Sequence, residues 1–317
     1  MTDSFDREIT YLRLSVTDKC NLRCRYCMPA EGVCSLPHER MLSQEEMVMA
    51  VRASCELGIR KVRITGGEPL VKKNILSIVE NVASVPGIEK VAMTTNGTLL
   101  PTFARELKSA GLRSINISLD TLDAEKYRTI SRVGNLEDAL KGIECAVETG
   151  FERVKINTVL IGGFNDDEIE KLAGLTLRYP VDVRFIELMP MAQDDFFSPD
   201  SFIPGSVVLE RLAPLERVAP DGSVARLYRL DAALGSVGII SPVSDLFCSE
   251  CNRIRITADG YVKPCLHSRS EFLIKGLDYD GMKAVIEDAI MSKPARHSTL
   301  SYEERSSAGR SMNTIGG

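Results

Sequence analysis

Three cysteines, Cys20, Cys24 and Cys27, stand within eight residues as Cys-Asn-Leu-Arg-Cys-Arg-Tyr-Cys. A structural zinc takes four ligands and a four-iron cubane takes four thiolates, so three thiolates leave one metal position open. A catalytic centre keeps such a position and a structural one fills it. Zinc would need a fourth ligand nearby, and the nearest histidine is His38, eleven residues past Cys27. A ferredoxin-type site would carry a fourth cysteine downstream. The triplet therefore reads as a nest for an iron–sulfur cluster with one iron free to hold another molecule.

A second triplet follows late in the chain. Cys248, Cys251 and Cys265 give Cys-x2-Cys-x13-Cys, again one ligand short, with Arg253-Ile254-Arg255 beside it. Here His267 could complete a Cys3His zinc site, so spacing alone leaves zinc and an iron–sulfur cluster both open. The other three cysteines, Cys34, Cys55 and Cys145, are scattered. Cys55 and Cys145 fall in helical patterns and read as small buried hydrophobes.

The elements that must position these residues are short β-type runs: Leu12–Thr17, Lys61–Thr65, Lys90–Thr95, Ser114–Leu119, Val154–Leu160 and Val183–Leu188. Helical patterns lie between them, among them Glu125–Arg132 and Leu136–Thr149, and Ser43 with Glu46 forms a capping box ahead of the first long one. Strands alternating with helices predict βα units on a parallel sheet, here an incomplete six-unit α/β barrel of TIM type with a C-terminal extension carrying the second triplet. A helix around Val207–Leu212 and a strand around Ala225–Leu230 are expected in that extension.

Alternation inside the runs assigns their faces. Arg13, Ser15 and Thr17 share one face, as do Lys61, Arg63 and Thr65, then Ser114, Asn116, Ser118 and Asp120, then Arg153, Lys155 and Asn157. Their opposite faces are apolar, suited to helix packing. A closed eight-stranded barrel fills its interior with apolar layers; a polar, cationic interior predicts a wet cavity built for an anion. An open sheet with a solvated face is the alternative.

The 317 residues carry a formal charge of −5, which excludes a general nucleic-acid binder and leaves a polyanionic substrate to be met by local Arg and Lys clusters. No apolar run is long enough to span a membrane, and the first residues are polar and acidic, so a cytoplasmic enzyme is expected. The first triplet lies on the loop after the first strand, where α/β barrels place their active sites.

With Tyr26 before its last cysteine, the Cys-x3-Cys-x2-Cys motif resembles that of the radical S-adenosylmethionine superfamily; Thr65-Gly66-Gly67-Glu68-Pro69 and Ser118 in Asn-Ile-Ser-Leu-Asp match it further. Within it, from about Tyr11 onward, the chain resembles the GTP 3′,8-cyclases of molybdenum cofactor biosynthesis, on the second triplet, Arg-Ile-Arg and the final Gly-Gly. The resemblance implies two [4Fe–4S] clusters, held by Cys20, Cys24 and Cys27 and by Cys248, Cys251 and Cys265. It implies that Tyr26, Gly67, Ser118 and Met189 contact S-adenosylmethionine. It further implies that Arg13, Arg63, Thr94, Lys155, Arg253, Ile254 and Arg255 contact GTP, with Arg184 as an added cation. Arg253 and Arg255 are carried over as catalytic together with Cys20, Cys24 and Cys27. An external one-electron donor and a downstream cyclic pyranopterin monophosphate synthase are the implied partners, and a homodimer is left open.

The domain expectation is a partial barrel over 1–190, an auxiliary-cluster region over 191–297 and a flexible tail over 298–317. Gly316-Gly317 reads as a frayed end, a sulfur-carrier-like terminus or a segment that enters a pocket, and the resemblance favours the last. Two other function classes stand beside the cyclase: a peptide-modifying radical enzyme with an auxiliary cluster, and a non-enzymatic metal or electron-transfer protein.

Overall fold

The computed structural model describes the chain except residues 34–35, 192–197, 220–221, 298–299, 301–305, 307 and 317, so Cys34 and Gly317 lie outside the described residues. The six expected strands form as β1 (Tyr11–Ser15), β2 (Lys61–Thr65), β3 (Lys90–Thr95), β4 (Leu112–Ser118), β5 (Arg153–Leu160) and β6 (Val181–Glu187). They pair in parallel and in sequential order, each joined to the next by helix on the outer face. Ser43 and Glu46 close the expected capping box at the helix Gln44–Glu56, and the helix Leu136–Thr149 ends on Gly150 at φ 70.

The C-terminal region adds strands β7 (Glu216–Arg217), β8 (Arg226–Arg229), β9 (Ser236–Ile240), β10 (Arg253–Ile256), β11 (Tyr261–Lys263) and β12 (Phe272–Leu273). These do not form a separate layer. β9 joins β6 in parallel, β10 joins β1 in parallel, and antiparallel β8–β7 and β11–β12 finish the two edges. The sheet thus has 12 strands in the order β12-β11-β10-β1-β2-β3-β4-β5-β6-β9-β8-β7 and stays open. The expected six-strand half-barrel is widened on both sides, and its expected extension is part of its wall.

The apolar faces behave as alternation requires. Leu12, Leu14, Val62, Ile64, Ile115, Ile117, Val154 and Ile156 are buried in one core with helix residues such as Met47, Ile78, Leu107 and Ile143. The opposite faces carry the polar rungs. Arg255, Arg13 and Arg63 stand in register on β10, β1 and β2; Thr94, Asn116 and Lys155 on β3, β4 and β5; Ser118, Asn157 and Arg184 on β4, β5 and β6. Gly238 is the next member of the last rung, and a Cβ there would stand 3.0 Å from Arg184 Cγ, so its bareness gives that long side chain room.

The tail corrects an expectation. Its described part is packed, not flexible: Ala308, Asn313 and Ile315 are buried, and Met312–Ile315 forms one helical turn. Arg310 holds it in place, with hydrogen bonds to Glu271 at 2.7 to 2.9 Å and to Asp259 at 2.9 and 3.0 Å. Low apolar content hid this, because the tail is anchored by ion pairs.

Candidate functional site

The first triplet follows the C-terminal end of β1, whereas Cys248 and Cys251 precede β10, which runs parallel to β1, and Cys265 follows antiparallel β11. The two nests therefore sit at opposite ends of the strands. A five-residue strand spans roughly 16 Å, which sets the scale of their separation. Both nests line one cavity of about 620 Å³, whose wall also carries Arg13, Lys61, Arg63, Lys155, Arg184, Arg253, Arg255 and Lys293. The cationic interior predicted from alternation is present, although Arg153 lies off it and pairs with Asp182.

Gly66-Gly67-Glu68 straps the first loop to the sheet. The Gly67 amide donates to the Thr17 carbonyl at 2.7 Å and the Glu68 amide to that of Lys19 at 2.8 Å. A Cβ on Gly67 would fall 2.3 Å from the Lys19 carbonyl oxygen, so only glycine lets the backbones approach this closely. The Glu68 carboxylate accepts from the Thr95 hydroxyl and the Asn96 amide, both at 2.7 Å; burial pushes its pKa up to about 7. Tyr26 donates to Asp120 at 2.7 Å, and Asp120, raised by burial to about 6, also accepts from the Val159 amide at 2.9 Å.

The nests differ electrostatically. Burial first, then neighbouring anionic groups, hold Cys24 well above the usual thiol range and Cys27 at about 12. Such thiols become thiolates when bound metal supplies the positive charge. In the second nest, burial also acts to raise Cys251, but Arg253 and then Lys293 outweigh it and bring the thiol to about 6. Lys293 is buried; its ammonium donates to the carbonyls of Arg253 at 2.9 Å and Pro264 at 2.8 Å and reaches Cys251 Sγ at 3.5 Å.

Of the expected site residues, Tyr26, Gly67, Ser118, Met189, Arg13, Arg63, Thr94, Lys155, Arg184, Arg253 and Arg255 all line the cavity with the six cysteines. Ile254 does not. Its side chain points to the opposite face of β10, fully buried in the apolar core, because neighbours along a strand alternate. His267, the alternative zinc ligand, lines the cavity beside Cys265, bonds Ser306 Oγ through Nδ1 at 2.8 Å and lies 4.7 Å from the His297 ring. Among the described residues no three His, Cys, Asp or Glu side chains form a set for one metal ion; a cubane takes one thiolate per iron instead. Lys61, on the inward face that alternation gave it, and Glu68, in the Gly-Gly-Glu segment, also line the cavity, and Tyr11 and Lys293 are additions that no motif marked.

Residues 14–176 match the model of the radical SAM superfamily and residues 181–299 that of molybdenum cofactor synthesis C. Curated relatives called GTP 3′,8-cyclase include those of Alkaliphilus oremlandii and Alkaliphilus metalliredigens, each 46% identical with all of both chains covered, and of Moorella thermoacetica at 44%. The chain belongs to the GTP 3′,8-cyclase family. A solved structure of Streptococcus suis SuiB bound to S-adenosylmethionine shares the fold, with a TM-score of 0.62 at 14% identity over 87% of this chain and 64% of that one. GTP 3′,8-cyclases carry two [4Fe–4S] clusters and use S-adenosylmethionine. The donor sets here fit that complement: two thiol triplets, each one ligand short, and a glycine cradle beside the first.

Proposed function

We propose that the protein converts GTP to (8S)-3′,8-cyclo-7,8-dihydroguanosine 5′-triphosphate, the first step of molybdopterin biosynthesis. The observation that carries this reading is the single cationic cavity shared by two three-cysteine nests at opposite strand ends. Cys20, Cys24 and Cys27 would hold the first cluster, and Tyr26, Gly67, Ser118 and Met189 would surround S-adenosylmethionine at its open iron. When bound, that pair supplies one-electron chemistry able to take hydrogen from an unactivated carbon. Cys248, Cys251 and Cys265 would hold the second cluster, on the side of the cavity where the purine would lie.

The chain's own contribution is positioning. Arg13, Arg63, Thr94, Lys155 and Arg184 would bind the triphosphate, and forked guanidiniums suit its oxygens because they bind bidentately. Arg253 and Arg255 would act at the reacting nucleoside, next to the second nest. Walls of buried side chains would exclude water while the reaction proceeds. On this reading residues 1–190 would hold the first cluster and the triphosphate and 191–297 the second cluster and the nucleoside, in a cytoplasmic enzyme fed by an external electron donor, with a pyranopterin synthase consuming the product.

Anaerobic reconstitution tests the metal assignment. About eight irons per chain and no zinc are expected for two cubanes. About four irons with one zinc would overturn the two-cluster reading.

A further inference from the structure

Tyr11 opens β1 on the side of the second nest and lines the cavity. Its phenol oxygen accepts a hydrogen bond from Arg63 Nε, and the Lys61 ammonium lies 4.5 Å from the centre of its ring. Arg63 is fixed further by the Met93 carbonyl at 2.9 Å and Thr94 Oγ1 at 3.4 Å, so the phenol is one of three acceptors that set the guanidinium's direction. The charged groups facing Tyr11 come from three strands: Arg13 from β1, Lys61 and Arg63 from β2, and Arg255 from β10. Lys61 in turn feels Lys90 from β3 and Arg184 from β6. All of these are cations.

A buried cation cluster demands an anion, because like charges in a poorly solvated wall repel strongly. Burial acts to raise the Tyr11 pKa, but Arg63, Arg13 and Lys61 outweigh it and bring it from 10.0 down to about 7. A polyphosphate entering the cavity brings several negative charges to the same cations. A phenolate would then repel the ligand, whereas a protonated phenol can donate a hydrogen bond to it.

We propose that Tyr11 is the resident counter-anion of this cluster and takes up one proton from solvent when a polyphosphate enters, changing from acceptor of Arg63 to donor toward the ligand. The inference rests on reading the cavity as a nucleoside triphosphate site.

The test is anaerobic titration calorimetry of the reconstituted protein with GTP and with inorganic tripolyphosphate, in buffers of different ionisation enthalpy. It is run near pH 8, where phosphate groups are already ionised and a phenol of pKa about 7 is mostly deprotonated. The wild type should take up close to one proton per GTP, and Tyr11→Phe should bind GTP with uptake near zero. Incorporation of 3-fluorotyrosine at position 11 leaves the packing nearly unchanged and, by making the phenol more acidic, should extend the uptake to lower pH. Equal proton counts in wild type and Tyr11→Phe, or a profile unmoved by fluorination, would overturn the role of Tyr11 while leaving the triphosphate site standing. Failure of both ligands to bind would overturn the triphosphate reading itself.

Discussion

Arg255 Nη1 donates to the carbonyl of Gly316 at 2.8 Å, and Arg13 Nε reaches the same oxygen at 3.4 Å from the strand paired beside it. Gly316 thus sits against two cavity arginines that the resemblance assigned to GTP. Its carbonyl orients both guanidiniums from adjacent strands.

Gly316 is the residue that permits this. It sits at φ 81, and a Cβ would stand 2.5 Å from Thr65 Oγ1 and 3.1 Å from Ser15 Cβ. Left-handed backbone costs a non-glycine residue roughly 1 to 2 kcal/mol before any contact is counted. Gly316→Ala should therefore release the tail, seen as hydrogen exchange over residues 308–316 faster by about tenfold or more, with the sheet unaffected. Unchanged protection would show that the tail is held by Arg310 alone.

Lys293 ties three parts of the second nest together: the Arg253 carbonyl, the Pro264 carbonyl and Cys251 Sγ. Lys293→Met should leave two buried carbonyls without their donor, a loss of about 2 to 5 kcal/mol in stability. Iron bound by the second triplet should fall, counted in a Cys20/Cys24/Cys27→Ala background, while iron bound by the first, counted in a Cys248/Cys251/Cys265→Ala background, should be retained. Full iron retention with wild-type unfolding would contradict this role.

Glu68 supplies a pH dependence. Burial raises its carboxyl from 4.5 to about 7, so in the folded state it is the protonated form that is favoured. A raised folded pKa gives stability that is complete below about 4.5 and is lost as pH rises through about 7. The loss amounts to about 3 kcal/mol. Glu68→Gln should flatten this dependence between about pH 4.5 and about pH 7 in denaturant unfolding. An equally steep slope in the variant would place the titrating group elsewhere.

Much of this site was legible in the sequence because strand alternation is local. Arg13, Arg63 and Lys155 could be put on inward faces from their immediate neighbours, and they line the cavity. The same rule, applied to Arg253-Ile254-Arg255, would have removed Ile254; a motif carried over as a block obscured the pleat. The pairing of β10 with β1 was not legible, because it joins residues such as Arg13 and Arg255 that are far apart in sequence, and nothing in either strand names its partner. Lys293 escaped for the same reason, since its acceptors are defined only once the helix Tyr279–Met291 has packed. The docked tail escaped because ion pairs to Asp259 and Glu271 replace the apolar content that marks a packed segment.

On the proposed reading, one cavity brings the species generated at the first nest to a nucleotide held at the second. Anaerobic turnover with dithionite, S-adenosylmethionine and GTP deuterated at ribose C3′ tests it most directly, read as 5′-deoxyadenosine by mass. 5′-Deoxyadenosine should form only in the presence of GTP and should carry deuterium from C3′. Equal amounts of unlabelled 5′-deoxyadenosine with and without GTP would contradict it.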